Sequence, residues 1–306
     1  MDNHFSRRGA VLRLAASASA MVGHVAYASP YAAKAKEVAQ LEIRTRDYRL
    51  DRQSFHTRLL IIGPSPQQSP MAQPPADVRE IEFPSGRLHL KAWIGMPKRQ
   101  PYALPAVIFL HGGFAFGSDD FEMAQPYRDA GFVVVTPTLR GENGQEGTFS
   151  MFYDEVEDVL AVAEFVRDQP YIDPAHVYLA GHSVGGTMAL LTAMTSSNFK
   201  AVASLSGSPD QFTFLSSRWD GVIPFDTTRA DEFEMRSPLA YAASLKSPTR
   251  LYHGTKEAYF RSSTQRLVAI AQASNLPVDN KELPGDHFGA VPAEIADSIK
   301  FFQAHW

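Results

Sequence analysis

The sequence predicts an α/β fold: a mostly parallel central sheet with an antiparallel edge, helices on both faces and a small cap insertion. Three observations carry that expectation. Short, continuously apolar runs such as Ala106-Val107-Ile108-Phe109-Leu110 and Phe132-Val133-Val134-Val135 suit strands buried on both faces. Helix-compatible stretches alternate with these runs, as they do where crossover helices join parallel strands. Ahead of them, residues 78–83 and 88–94 alternate apolar and polar side chains about a Ser85-Gly86 turn, the pattern of an edge hairpin.

Taken in order, residues 1–28 read as an export signal peptide of twin-arginine type. Ser6-Arg7-Arg8 precedes a mildly apolar run over 10–26, and Ala26-Tyr27-Ala28 is an A-x-A cleavage pattern. Ala10 and Val11 stand where a bulkier pair is usual, so general secretion is the alternative route. A periplasmic or secreted protein is expected. Residues 29–77 form an N-terminal extension and Pro-rich linker. A helix-like stretch over 32–43 leads to Gly63-Pro64-Ser65-Pro66-Gln67-Gln68-Ser69-Pro70, and five prolines between 63 and 75 preclude regular helix. The main domain spans 78–306. Further strands are expected at 106–110, 132–135, 177–180, 201–205, 250–252 and 277–283, with helices at 120–130, 150–168, 186–197, 262–274 and 292–304. Asp154, Glu155, Glu157 and Asp158 crowd one helix start, where the helix dipole favours anions; they read as a solvated helix end, not as metal ligands.

Composition narrows the chemistry. The chain has no Cys, which excludes disulfides, thiolate–metal sites and a lipidated Cys. A formal charge of −4 argues against nucleic acid or an anionic membrane as partner. After the export segment, no later run approaches the roughly 18 uninterrupted apolar residues of a membrane span.

The most informative motif is Gly181-His182-Ser183-Val184-Gly185, between an apolar strand and a helix-compatible run. A serine on such a turn adopts a strained backbone, and glycines two positions away on either side let the turn close. Serine needs a base, and the base needs an orienting carboxylate. After Ser183 the histidines are His253, His287 and His305. His287 lies in the loop Leu283-Pro284-Gly285-Asp286-His287-Phe288-Gly289, free to reach over the strand ends, and is the expected base. Glu257, after the 250–252 strand and its turn, is the expected acid, ahead of Asp286, Asp226 and Asp231. The amide of Val184 and that of Gly113 in His111-Gly112-Gly113-Phe114 are expected to receive the oxyanion, with the Phe114 amide as alternative. Residues 206–247 carry Phe212, Phe214, Trp219, Phe225, Phe233 and Tyr241, and read as a candidate cap forming an apolar acyl or alcohol pocket.

His111-Gly112-Gly113-Phe114, Arg140-Gly141, Tyr171-Ile172-Asp173-Pro174, Gly181 to Gly186, Ser237-Pro238-Leu239 and Pro248 to Gly254, followed by Glu257 and His287, occur in a familiar order. Over residues 78–306 the chain resembles the catalytic domain of the prolyl oligopeptidase family, in the α/β-hydrolase superfamily and near the dienelactone-hydrolase-like esterases. The resemblance implies an α/β-hydrolase fold and serine hydrolysis without metal or organic cofactor. Two features depart from the pattern: the acid position usually holds Asp, and peptidases of the family carry a large β-propeller that the residues before Val78 are too few to build. The expected activity is therefore carboxylic ester hydrolysis through a Ser183-His287-Glu257 triad. Two readings stand beside it: a propeller-less serine peptidase or amidase, and a non-catalytic binding protein on a hydrolase fold. The expected partner is a small ester or a short peptide.

Overall fold

A computed structural model describes residues 41–70, 72–98, 103–216 and 222–306. The export segment 1–28, most of the expected 32–43 helix and Trp219 lie outside the described residues. Residues 41–46 carry no helix. The first described helix is α1 (Tyr48–Ser54), capped by the Asp47 side chain on the Arg49 amide.

An edge hairpin, β1 (Val78–Ser85) and β2 (Leu88–Gly95), pairs antiparallel in full register. β3 (Leu104–Leu110) follows, then two short helices, α2 (Ser118–Met123) and α3 (Gln125–Asp129). The sequence predicts a single helix over 120–130. It breaks at Ala124 because Pro126, at the start of α3, has no amide proton to continue the ladder. Next come β4 (Val133–Pro137), α4 (Glu155–Arg167), β5 (Ile172–His182), α5 (Val184–Thr195) and β6 (Val202–Leu205). Two short helices, α6 (Gln211–Ser216) and α7 (Ala230–Glu234), and a 3-10 turn at Pro238–Ser244 occupy the excursion after β6. The chain ends with β7 (Thr249–Gly254), α8 (Ala258–Ala273), β8 (Val278–Leu283) and α9 (Val291–Gln303).

The described strands form one eight-stranded sheet of order β1-β2-β4-β3-β5-β6-β7-β8, antiparallel at β1, β2 and β4 and parallel from β4 to β8. Alternation along each strand divides the interior in two. Ala106, Ile108, Val177 and Leu179 face the core under α4, α5 and α8, whereas Val107, Phe109, Tyr178 and Ala180 face the one under α3 and α9. Each fully buried Val, Leu or Phe contributes roughly 1.5–3 kcal/mol. The continuous apolar runs follow from this two-sided burial. The carboxyl ends of β3, β5, β6, β7 and β8 open onto one rim, where ligands of such sheets bind.

Two further sequence expectations are corrected. The acidic start of α4 is not uniformly solvated. The Glu155 carboxylate is buried and accepts from the amides of Ser150, Met151 and Tyr153. Asp158 is fully buried, forked by Arg140 at 2.7 and 2.9 Å and bonded by Ser85 Oγ at 2.6 Å. They anchor the loops around Arg140 and Ser150, a role that linear charge spacing does not reveal. Of the aromatics assigned to an apolar pocket, Phe225, Phe233 and Tyr241 are buried in the main core. They pack there because the excursion is fastened to the N-terminal extension: Tyr241 meets Tyr48 at 4.9 Å between ring centroids, and Leu59 bridges Phe225. Phe212 and Phe214 are only partly buried.

Candidate active site

The turn at Ser183 is held open by what its neighbours lack. A Cβ on Gly181 would lie 2.3 Å from Gly185 O, and one on Gly185 would lie 2.2 Å from Leu110 O. The serine itself is the N-cap of α5 at φ 57° and ψ −116°, a conformation that costs a non-glycine residue ~1–3 kcal/mol. That strain lifts Oγ to the rim while the start of α5 presents the Val184 amide.

Ser183 Oγ lies 2.9 Å from His287 Nε2, and His287 Nδ1 lies 2.6 Å from Glu257 Oε1. With Nδ1–H donating to the carboxylate, Nε2 is free to accept the serine proton. The Glu257 carboxylate is further bonded at Oε2 by Ser206 Oγ (2.6 Å) and the Gly254 amide (2.7 Å). Burial pushes the Glu257 pKa up, but His287, Ser206 and Gly254 more than offset it and hold the group below the usual value. The imidazole stacks on Phe260, 5.8 Å between centroids, and His182 Nε2–H donates to His287 O at 3.0 Å. Burial, then the proximity of His287, lowers the His182 pKa to about 4, so that ring is neutral.

The alternative residues are engaged elsewhere. Asp286 is exposed and accepts from the Gly289 amide, Asp226 bonds Thr228 and Arg58, and Asp231 pairs with Arg229. His305 Nδ1 bonds Phe301 O, and His253 is buried on β7 with both ring nitrogens unpartnered among the described residues.

Among the described residues, the amides of Val184 and Gly113 donate to no protein acceptor. The Phe114 amide, the alternative oxyanion donor, is already taken: it donates to Gln67 Oε1 at 3.1 Å. Gln67 belongs to the Pro-rich linker, which crosses the rim without helix or strand. Ser65 Oγ bonds Phe114 O, the Ser65 amide donates to Gly141 O at 2.9 Å, and Asn143 Nδ2 donates to Ser69 O at 3.1 Å. The linker therefore braces the loop carrying Gly113. Nothing in its composition pointed to that contact.

Below the same loop, His111 Nε2 and Nδ1 face two acceptors, Glu142 Oε2 at 2.9 Å and Gly112 O at 3.1 Å, so the ring is an imidazolium. Burial opposes the charge, yet Glu142 raises the pKa to about 9. We predict that His111→Ala, which strands the buried Glu142 carboxylate, costs ~3–5 kcal/mol. Because the folded pKa is raised from 6.5, the contribution is full below pH 6.5 and is lost as pH rises through about 9. Urea unfolding of both proteins at pH 6 and pH 9.5 checks this. A wild-type advantage that does not shrink at the higher pH would contradict the imidazolium.

A model of the prolyl oligopeptidase family matches residues 118–294, more than half of the chain. The chain belongs to that family. It is a serine hydrolase, of the peptidase or esterase type. Within the family it is 26% identical over 204 residues to the uncharacterized peptidase YtmA of Bacillus subtilis (strain 168), covering 59% of this chain and 79% of that protein. Acylaminoacyl peptidase of Pyrococcus horikoshii superposes with a TM-score of 0.62 at 22% identity; the match covers 74% of this chain and 41% of that one. A proposed dienelactone hydrolase of Klebsiella pneumoniae superposes with a TM-score of 0.56 at 17% identity, covering 75% of this chain and 98% of that one. Both solved structures share the α/β-hydrolase fold.

Proposed function

We propose that this hydrolase cleaves carboxylic esters through Ser183, His287 and Glu257, by way of an acyl-enzyme. The observation that carries the reading is the unbroken line of contacts from Ser183 Oγ to His287 at 2.9 Å and on to Glu257 at 2.6 Å. Ser183 attacks the acyl carbonyl as its proton passes to His287 Nε2, while Nδ1–H stays with Glu257 and orients the cation that forms. The amides of Val184 and Gly113 receive the oxyanion. His287 then protonates the departing alcohol and takes a proton from the water that hydrolyses the acyl-enzyme. No step calls on a metal or organic cofactor.

Two observations favour an ester. Phe288, half exposed, lies 5.2 Å from His287 between ring centroids and suits an apolar acyl or alcohol group. The match to the Klebsiella protein, named as a proposed dienelactone hydrolase and covered over 98% of its length, also supports an ester. The peptidase reading draws on YtmA, whose name is a peptidase and most of whose length aligns.

Purified protein and Ser183→Ala would be assayed on p-nitrophenyl acyl esters beside aminoacyl and prolyl p-nitroanilides. Turnover of esters alone, lost in the variant, is expected; turnover of anilides would move the enzyme to the peptidases. We also propose export, supported by Ser6-Arg7-Arg8 and Ala26-Tyr27-Ala28. N-terminal sequencing of the protein recovered from periplasm or medium should begin at Ser29. An intact Met1 in a cytoplasmic fraction would refute it.

A further inference from the structure

Behind Glu257 lies a second carboxyl group that the mechanism does not use. Glu294, on the buried stripe of α9, is wholly inaccessible to solvent. Its Oε1 is 3.0 Å from Ser206 Oγ, and its Oε2 has no partner among the described residues. Ser206 Oγ is also 2.6 Å from Glu257 Oε2. One hydroxyl carries one proton and cannot donate to both carboxylates. Glu257 is the acceptor, because each of its other contacts, the His287 Nδ1–H and the Gly254 amide, is a donor. Ser206 Oγ can then meet Glu294 only as an acceptor, which requires a proton on Glu294. Ser206 sits at φ 48°, a left-handed conformation uncommon outside glycine, and so keeps its hydroxyl between the two acids.

We propose that Glu294 is a positioning residue that stays protonated, donates to Ser206 and through it fixes the Glu257 carboxylate that orients His287. The inference rests on the triad reading above. It defines a relay of donors, Glu294 to Ser206 to Glu257, with His287 donating to Glu257 from the other side.

The surroundings support the neutral form. Glu257 is the one charged group acting on Glu294 among the described residues, and burial first, then that neighbouring charge, raises the Glu294 pKa to about 8. The other titratable groups packed nearby are His287 beyond Glu257, Tyr127 on α3 and Tyr252 on β7. Tyr127 bonds Ser298 one turn along α9, and Tyr252 bonds Asp297. Burial raises both phenols far above the usual value, so neither supplies a counter-charge. When Glu294 ionises, the single Ser206 proton is contested between two carboxylates and the grip on Glu257 loosens.

The test uses Glu294→Gln, whose carboxamide donates to Ser206 as the protonated acid does and cannot ionise. Its readout is the rate at which a fluorophosphonate labels Ser183 between pH 6 and pH 10, independent of any natural substrate. We expect labelling of the wild type to fall several-fold across an inflection near pH 8, and Glu294→Gln to match the wild type at pH 7 but lack that inflection. Glu294→Leu, which fills the space without donating, should label several-fold more slowly at every pH. In a Ser206→Ala background the Gln substitution should have no further effect. Superimposable wild-type and Gln profiles, or Gln as impaired as Leu at pH 7, would overturn the proposal.

Melting temperatures provide a second readout that does not depend on catalysis. A carboxyl group whose folded pKa is raised from 4.5 to about 8 contributes stability that is full below pH 4.5 and lost as pH rises through 8. The wild type should therefore lose ground to Glu294→Gln over that range. A gap that stays constant would deny the proton. If fluorophosphonate labels none of these proteins, the triad reading fails and the positioning role with it, while the melting gap still reports the state of Glu294.

Discussion

Replacing Ser183 by Ala is expected to lower ester turnover by about 10⁴–10⁶-fold, the scale seen when a serine nucleophile is removed from an intact site. The protein should melt within a degree or two of the wild type. The Ser183 side chain donates to His287 at the rim, and the backbone bonds of residue 183 to Leu205 O and from the Thr187 amide are kept by Ala. Glu257→Gln should behave differently. Its carboxamide can present an N–H where His287 needs an acceptor, turning the ring to the wrong tautomer, and a loss of roughly 10⁴ in kcat is expected with KM little changed. Stopped-flow or steady-state kinetics on the best p-nitrophenyl ester separate the two. Residual turnover within ten-fold of wild type in Ser183→Ala would remove this serine from the chemistry. A Glu257→Gln enzyme equal to wild type would mean that the 2.6 Å contact with His287 has no kinetic weight.

Replacing Arg236 by Leu is expected to cost ~3–5 kcal/mol, because it leaves Glu232 charged and buried. For a domain of this size that corresponds to a melting temperature lower by roughly 10 °C. Arg236 and Glu232 are both fully buried and meet at 2.6 Å. The guanidinium also donates to Met151 O at 2.7 Å, Ser150 O at 2.9 Å and Thr57 Oγ1 at 2.8 Å, and lies 4.0 Å from the centre of the Phe225 ring. Glu232 in turn accepts from Thr57 Oγ1 at 2.8 Å and the Arg58 amide at 2.5 Å. One ion pair thus ties the N-terminal extension, the loop before α4 and the excursion after β6 into a single body. The pair Arg236→Met with Glu232→Met should recover part of the loss, since two apolar side chains bury no unpaired charge. Differential scanning calorimetry of the three proteins checks both statements. An Arg236→Leu protein melting with the wild type would show that the network is dispensable.

What could be read without coordinates follows from local rules. Two-sided burial leaves continuous apolar runs, so β3, β4, β5 and β7 were legible, as were the alternating hairpin and the order of motifs that marks the family. The glycines around Ser183 were legible because the close approach of Leu110 O and Gly185 O to their missing Cβ atoms is imposed by the turn itself. Ser183, Glu257 and His287, which the structure brings into hydrogen-bond contact, could be named as candidates because each follows a strand end and the chain order was constrained. Only the tertiary structure decided which acids are buried. Glu155 and Asp158 look like their exposed neighbour Glu157 in the sequence, and their fate depends on loops far along the chain. The same holds for Gln67 on the Phe114 amide and for Arg236 with Glu232. Glu294 left one trace, a carboxyl side chain on the same helix face as the apolar Val291, Ile295 and Phe302. Its meaning came only from Ser206 and Glu257, brought beside it by β6 and β7. Local backbone preference and burial pattern are encoded in neighbours along the chain. The partner of a buried polar group is chosen by folding, and its identity is not written near it.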